Sequence, residues 1–148
     1  MSDAGVSVLF VCTHNSARST MAEALLRHKG EGAYEAFSAG TEPGGVRPLT
    51  LRVLEEAGLP TEGLRSKSVG EFMGRRFDYV ITVCESARQP CPVFPGEGER
   101  LHWGYDDPSA VGGSEEQRLA VFRRVFTALS QRIDLFMTVE DKRTTHDT

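Results

Sequence analysis

Four apolar side chains in a row, Val8-Leu9-Phe10-Val11, stop abruptly at Cys12 and give way to Thr13-His14-Asn15-Ser16-Ala17-Arg18-Ser19. A continuous apolar run this short reads as a strand covered on both faces, the situation of a strand inside a parallel sheet. A helix follows over Ser19–Lys29, where Met21, Ala22, Leu25 and Leu26 supply the apolar stripe and Gly30 the stop. The alternation then repeats. Ala36–Ala39 reads as a second strand closed by Gly40, and Pro48–Ala57 as a helix with Leu51, Val53 and Leu54 inward and Gly58 as its stop. Phe77–Val83 and Arg100–Trp103 read as third and fourth strands. Ser114–Phe136 reads as a long helix: Phe122, Val125, Phe126, Leu129, Ile133 and Phe136 recur at helical spacing, and Ser114 with Glu116 and Gln117 resembles an N-cap. The last ten residues are polar and read as a frayed end. Strands alternating with helices predict an α/β domain over 1–148, ordered over about 6–137, with a parallel sheet between helical layers.

Composition excludes several classes. A chain of 148 residues is one domain by length and can bury about two thirds of its unfolded surface. A net charge of −4 gives no case for nucleic acid or an anionic membrane as partner. Met1–Gly5 has no basic n-region, and Val6–Val11 is too short for a signal or a membrane span. The three cysteines are an odd number without a secretion signal, which argues against a structural disulfide framework and for the cytosol, where thiols stay reduced.

Ligands of parallel sheets bind at the carboxyl ends of strands, which points to Cys12–Ser19. The pattern is Cys-x5-Arg followed by Ser. A loop running into a helix N-terminus turns free amides inward, toward an anion. Ser16 and Ala17 are small enough for a tight curl, and Asn15 tolerates a left-handed backbone. Arg18 can grip a tetrahedral oxyanion through two parallel hydrogen bonds. The same positive field favours the thiolate of Cys12, the nucleophilic form, and Ser19 is placed to donate to it. The bland alternative is that Cys12 is a small buried hydrophobe; its place between a buried strand and a helix favours the anion loop. His14 reads as lining the loop mouth, with a contact to the anion as the alternative.

Cys84 closes the third strand, on the sheet edge that carries Cys12, and Cys91 follows six residues later beside Pro92. A thiolate that attacks sulfur passes an oxidation from one cysteine to the next, so a relay is one reading and two packing cysteines the other. Two cysteines at this spacing, without a clear ligand set, make a poor zinc site. Asp106-Asp107-Pro108 follows the fourth strand. Asp107 is a candidate general acid, with a plain Asp-Pro turn as the alternative.

Val8–Cys12 with Asn15, Arg18, Ser19 and Asp107-Pro108 resembles the low-molecular-weight protein tyrosine phosphatase superfamily. Cys84…Cys91-Pro92 and His102-Trp103-Gly104-Tyr105-Asp106-Asp107-Pro108 are similar to its thioredoxin-coupled arsenate reductases. The resemblance runs from about Ser7 to Phe136. It implies a three-layer α/β/α fold with a four-stranded parallel sheet, and an oxyanion-binding loop of Thr13, His14, Asn15, Ser16, Ala17, Arg18 and Ser19. It also implies a mechanism without metal or cofactor. Cys12 attacks arsenic while Arg18 and the loop amides hold the oxygens, and Asp107 protonates the leaving oxygen. Cys84 then attacks Cys12, Cys91 attacks Cys84, and thioredoxin reduces the Cys84–Cys91 disulfide. Some members of this branch have glycine in place of His14 and cysteine in place of Ala17. Some hold potassium near the loop with an aspartate; the matching stretch here is Ser66-Lys67-Ser68, so no potassium site is expected. The alternatives are a phosphatase working through a Cys12 phosphocysteine, and a thiol-based redox or oxyanion sensor. Ser109, where the tyrosine phosphatases carry an aromatic residue, argues against a phosphotyrosine pocket.

Overall fold

The computed structural model describes residues 5–83, 98–105, 108 and 111–146. The apolar run lies within β1 (Val6–Cys12), whose neighbours are β2 (Tyr34–Gly40) on one side and β3 (Tyr79–Thr82) on the other; β4 (Glu99–His102) lies beyond β3. All pairings are parallel, in the order β2-β1-β3-β4, with Cys12 opposite Gly40 and Val11 opposite Thr82. The sheet is the four-stranded parallel one expected. Its strand order reverses at β1, and such a switch point opens a crevice at the carboxyl ends of the strands.

Side chains alternate along β1 between two cores. Val8, Phe10 and Cys12 face a large cluster that takes in Met21, Leu25 and Leu26 of α1 (Arg18–Gly30), Val53 and Leu54 of α2 (Pro48–Glu56), and Phe122, Leu129 and Ile133 of α3 (Glu115–His146). Leu9 and Val11 face a smaller cluster with Phe72, Phe77 and Val80. A 3-10 turn at Val69–Phe72, which the sequence reading did not foresee, delivers Phe72 to that second face. The continuous apolar run is thereby explained, because neither face of β1 meets water over Val8–Val11. No helix among the described residues is long and apolar enough to cross a membrane.

Helix ends follow local chemistry. α2 starts at Pro48 and ends in a Schellman arrangement: Gly58 N–H donates to Glu55 O at 3.0 Å and Leu59 N–H to Leu54 O at 2.9 Å, with Gly58 at φ 78°. α3 starts in a capping box, with Gln117 N–H donating to Ser114 Oγ at 3.1 Å and Ser114 N–H to Gln117 Oε1 at 2.9 Å. Gly30 differs from expectation. It remains inside α1, and Glu31 takes the left-handed cap at φ 47°. Gly30 is needed for its size, since a Cβ there would lie 2.8 Å from the Tyr34 ring.

The expected frayed end is also corrected: α3 continues beyond Phe136 to His146. Met137 packs on the core, Lys29 pairs with Asp134 at 3.0 Å, and the Tyr79 hydroxyl donates to the Glu140 carboxylate. These contacts hold a polar stretch whose glutamate, lysine and arginine are adequate helix formers.

Candidate active site

Straight after β1 the chain curls through residues 13–17 into the N-terminus of α1. Asn15 adopts φ 51°, the left-handed conformation that a side chain able to bond locally tolerates. The loop carbonyls are turned outward and tied down. Thr13 O accepts from Glu42 N–H at 2.8 Å. His14 O accepts from Gly44 N–H at 3.0 Å and from Ser66 Oγ at 2.9 Å. Ser16 O accepts from Arg47 N–H at 3.0 Å and from Thr50 Oγ1 at 2.9 Å. In a trans peptide the carbonyl and the next N–H point opposite ways. The amides of His14, Asn15 and Ala17 therefore face inward, and Asn15 N–H reaches Cys12 Sγ at 3.2 Å.

Cys12 lies buried at the floor of this loop. Ser19 Oγ stands 2.9 Å from its sulfur. No side chain among the described residues caps α1 and its first turn holds no acidic residue, so the positive end of the helix is left for whatever occupies the loop. Arg18, 5% exposed, opens the helix and donates from a guanidinium nitrogen to Tyr105 O at 2.9 Å. Burial pushes the Tyr105 phenol above its ordinary value, against a lowering by Arg132.

Asn15 is the hub beneath the loop. Its Nδ2 donates to Ser19 Oγ at 2.8 Å, Ser38 Oγ at 2.9 Å and Thr20 Oγ1 at 3.3 Å, and its Oδ1 accepts Lys67 N–H at 2.6 Å. Ser38 donates in turn to Glu23, which also takes Arg27 at 2.7 Å and Lys67 Nζ at 3.3 Å. Gly40 fits against the loop so closely that a Cβ would stand 2.5 Å from Thr13 O and 2.9 Å from Asn15 N.

The candidates Cys12, Asn15, Ser16, Ala17, Arg18 and Ser19 thus come together as one buried cradle, with Thr13 at its edge. His14 is exposed at the mouth, its Nδ1 3.1 Å from Glu42 O. Cys84, Cys91 and Asp107 lie outside the described residues. The sequence reading missed Glu23, Ser38, Thr50 and Tyr105, and it weighed Lys67 against a potassium site without seeing its contact to Glu23. A signal existed for two of these: Glu23 sits within Met21–Leu26, the apolar stripe of α1, and Ser38 sits mid-strand between Phe37 and Ala39, where polar atoms must find partners.

Fold and loop define a class, the α/β proteins with a Cys-x5-Arg loop at the carboxyl edge of a parallel sheet. Residues 7–145 match the family described as low molecular weight phosphotyrosine protein phosphatase. The arsenate reductase of Halalkalibacterium halodurans is 36% identical over 129 residues, covering 87% of this chain and 93% of that protein. The crystal structure of the arsenate reductase from Archaeoglobus fulgidus resembles this fold with a TM-score of 0.74 at 33% identity, over 87% of this chain and 97% of that one. A thioredoxin-dependent arsenate reductase from Corynebacterium glutamicum has a TM-score of 0.63 at 29% identity, over 91% of this chain and 65% of that one. The chain belongs to the low molecular weight phosphotyrosine protein phosphatase family and, within it, groups with the arsenate reductases.

Proposed function

We propose that this protein reduces arsenate to arsenite through a relay of its three cysteines, with thioredoxin as the electron donor in a cytosolic setting. The observation that carries the relay is a pairing at the sheet edge. Val83 N–H donates to Val11 O at 2.9 Å, and these two residues directly precede Cys84 and Cys12. The Cys-x5-Arg loop by itself suits phosphate and arsenate equally, since the two ions share shape and charge. Two further cysteines favour arsenate, because reduction requires electrons that a hydrolase does not.

In this reading the Cys12 thiolate, supported by Asn15 N–H and Ser19, attacks arsenic. The inward amides and Arg18 hold the arsenate oxygens, and Asp107 gives its proton to the oxygen that leaves as water. The Arg18 contact to Tyr105 O supports Asp107 in that role, because Tyr105 stands just before Asp106-Asp107 in the chain. Cys84 then attacks Cys12 Sγ. The arsenic–sulfur bond breaks with its electron pair passing to arsenic, which departs as arsenite, and a Cys12–Cys84 disulfide remains. Attack of Cys91 on Cys84 frees Cys12 as thiolate. A dithiol of thioredoxin reduces Cys84–Cys91 and supplies the two electrons that arsenic received.

The test follows NADPH oxidation by reduced protein with arsenate, thioredoxin and thioredoxin reductase, beside hydrolysis of p-nitrophenyl phosphate. Arsenate-dependent NADPH loss is expected, and it should vanish in Cys84→Ser. Cys91→Ser should convert one arsenate per enzyme and stall as Cys12–Cys84. Asp107→Asn should slow turnover by about 10²–10⁴-fold, the usual worth of a general acid. Phosphate ester hydrolysis untouched by Cys84→Ser, with no NADPH loss, would instead make the protein a phosphatase, the activity its family's name carries. An oxyanion response unaffected by Asp107→Asn, without turnover, would make it a sensor.

A further inference from the structure

Glu23 and Lys67 hold no oxyanion in the reading above, yet with Arg18 they are the charged side chains buried among the described residues, at 3% and 8% exposure. A buried ion pair stabilises a fold poorly, because desolvation of the two charges offsets their attraction, and an apolar pair of equal volume does as well. The site also makes Glu23 look misplaced. Glu23 lies one helical turn beyond Ser19 on α1, so the Cβ atoms stand about 6 Å apart, and Ser19 touches Cys12 Sγ at 2.9 Å. A bare carboxylate so near would repel both a thiolate and the oxyanion above it.

The carboxylate is nevertheless useful. Its Oε1 takes the Ser38 proton, which leaves the Ser38 oxygen to accept Asn15 Nδ2 at 2.9 Å. The Asn15 amide is oriented from the other side by Lys67 N–H on Oδ1 at 2.6 Å. Asn15 Nδ2 therefore donates to Ser19 Oγ at 2.8 Å, which leaves the Ser19 proton for Cys12 Sγ. Glu23 thus anchors the chain of donors that ends on the nucleophile. Its charge is met by Lys67 Nζ at 3.3 Å, which is held in turn by Arg65 O at 3.2 Å.

We propose that Lys67 is a positioning residue for Cys12: its buried ammonium neutralises Glu23, so that the carboxylate can anchor the Ser38–Asn15–Ser19 chain without its charge opposing the thiolate. Other charges face the pair from each neighbouring element. Arg27 of α1 pairs with Glu23 Oε2, Arg65 and Glu71 form an exposed ion pair of their own beside Lys67, and Arg18 stands at the loop. Arg27 remains when Lys67 is removed, so the compensation should fall by part and not entirely.

The inference deepens the reductase reading, but its test needs neither arsenate nor thioredoxin, so failure of either leaves the other standing. Iodoacetamide labelling of Cys12, followed by peptide mass across pH in the full-length protein, reads how readily the thiolate forms. Lys67→Met should move the profile to higher pH and slow labelling at neutral pH by about three- to tenfold, the size of one partly screened charge at this range. Glu23→Gln should move it the opposite way, to lower pH, because Lys67 is then uncompensated. The double variant should lie near the parent, and Lys67→Arg should match it. A pair that merely supports packing would give shifts of one sign or none, and that result overturns the proposal. Should Lys67→Met fail to fold, Glu23→Gln decides alone: a profile unmoved or moved to higher pH rejects the role.

Discussion

At the residue scale the loop depends on side chains that are absent as much as on those present. Gly40 ends β2 opposite Cys12 and has no left-handed backbone to justify it. Its value is space: any Cβ would push Thr13 O and Asn15 N, the two sides of the curl. The neighbours are backbone and cannot rotate away, so relief must come from shifting the loop. We expect Gly40→Ala to fold and to lose about 10²-fold in kcat/KM for arsenate or for a phosphate ester, the scale that a misplacement of about 1 Å carries. Gly112→Ala is the control, because a Cβ there meets nothing within 4 Å among the described residues, and it should leave kinetics unchanged. Equal kinetics for Gly40→Ala and its parent would mean that the loop is not the rigid element described. Asn15 illustrates the converse. It supplies both a positive φ and the amide that organises Ser19, Ser38 and Lys67, and no other residue type supplies both.

At the element scale, most of the fold was legible because one physical rule governs it. A strand buried on both faces must be continuously apolar, so Val8–Val11 announced β1, and the glycine and proline stops marked α2 at both ends. What was not legible came from contacts distant in sequence. The end of α3 beyond Phe136 rests through Glu140 on Tyr79, far from it in the chain, and the 3-10 turn carrying Phe72 rests on Phe37, whose ring lies 5.7 Å from that of Phe72. The site divides in the same way. Cys12, Arg18 and Ser19 share one local motif, whereas Glu23, Ser38 and Lys67 meet only after three elements have packed. One tie between elements is testable by pH. Arg123 of α3 holds the Glu56 carboxylate of α2 through bonds of 2.9 and 2.7 Å, and that hydrogen-bonded pair lowers the Glu56 carboxyl below its ordinary value. A carboxyl lowered on folding adds stability above its unfolded value, about 4.3 for glutamate, and loses it as pH falls through the lower folded value. Glu56→Gln should therefore lower the thermal midpoint at neutral pH, and its deficit should shrink as pH falls through the lowered folded value of Glu56. A deficit that persists in acid would trace to packing and not to the ion pair.

At the scale of the whole molecule, the two ends of the sheet have separate duties. The carboxyl edge carries the loop, while the amino edge is braced by the last turns of α3. Phe136 packs at 5.0 Å against the ring of Tyr79, the first residue of β3, and at 6.1 Å against Tyr34, the first residue of β2. Glu140 receives the Tyr79 hydroxyl, and burial with Asp141 and Glu140 nearby pushes the Tyr34 phenol up to about 12, so the Tyr34 ring stays neutral under the helix at physiological pH. Changes at opposite ends of the sheet that share none of the described contacts add independently. Ending the chain after Met137 removes the Glu140 contact and the final turns of α3, and it should lower the thermal midpoint. Phosphate binding to the folded state adds stability by linkage, about 2.7 kcal/mol at a hundredfold excess over Kd, and this increment should be the same in the shortened and the full chain. Arg18→Leu should give the reverse pattern, a near-normal midpoint without phosphate and little rise with it, because Arg18 serves the anion and not the brace. A phosphate increment that shrinks in the shortened chain would show that the brace reaches the loop through β1 and β3, and that the two edges of the sheet act as one cooperative unit.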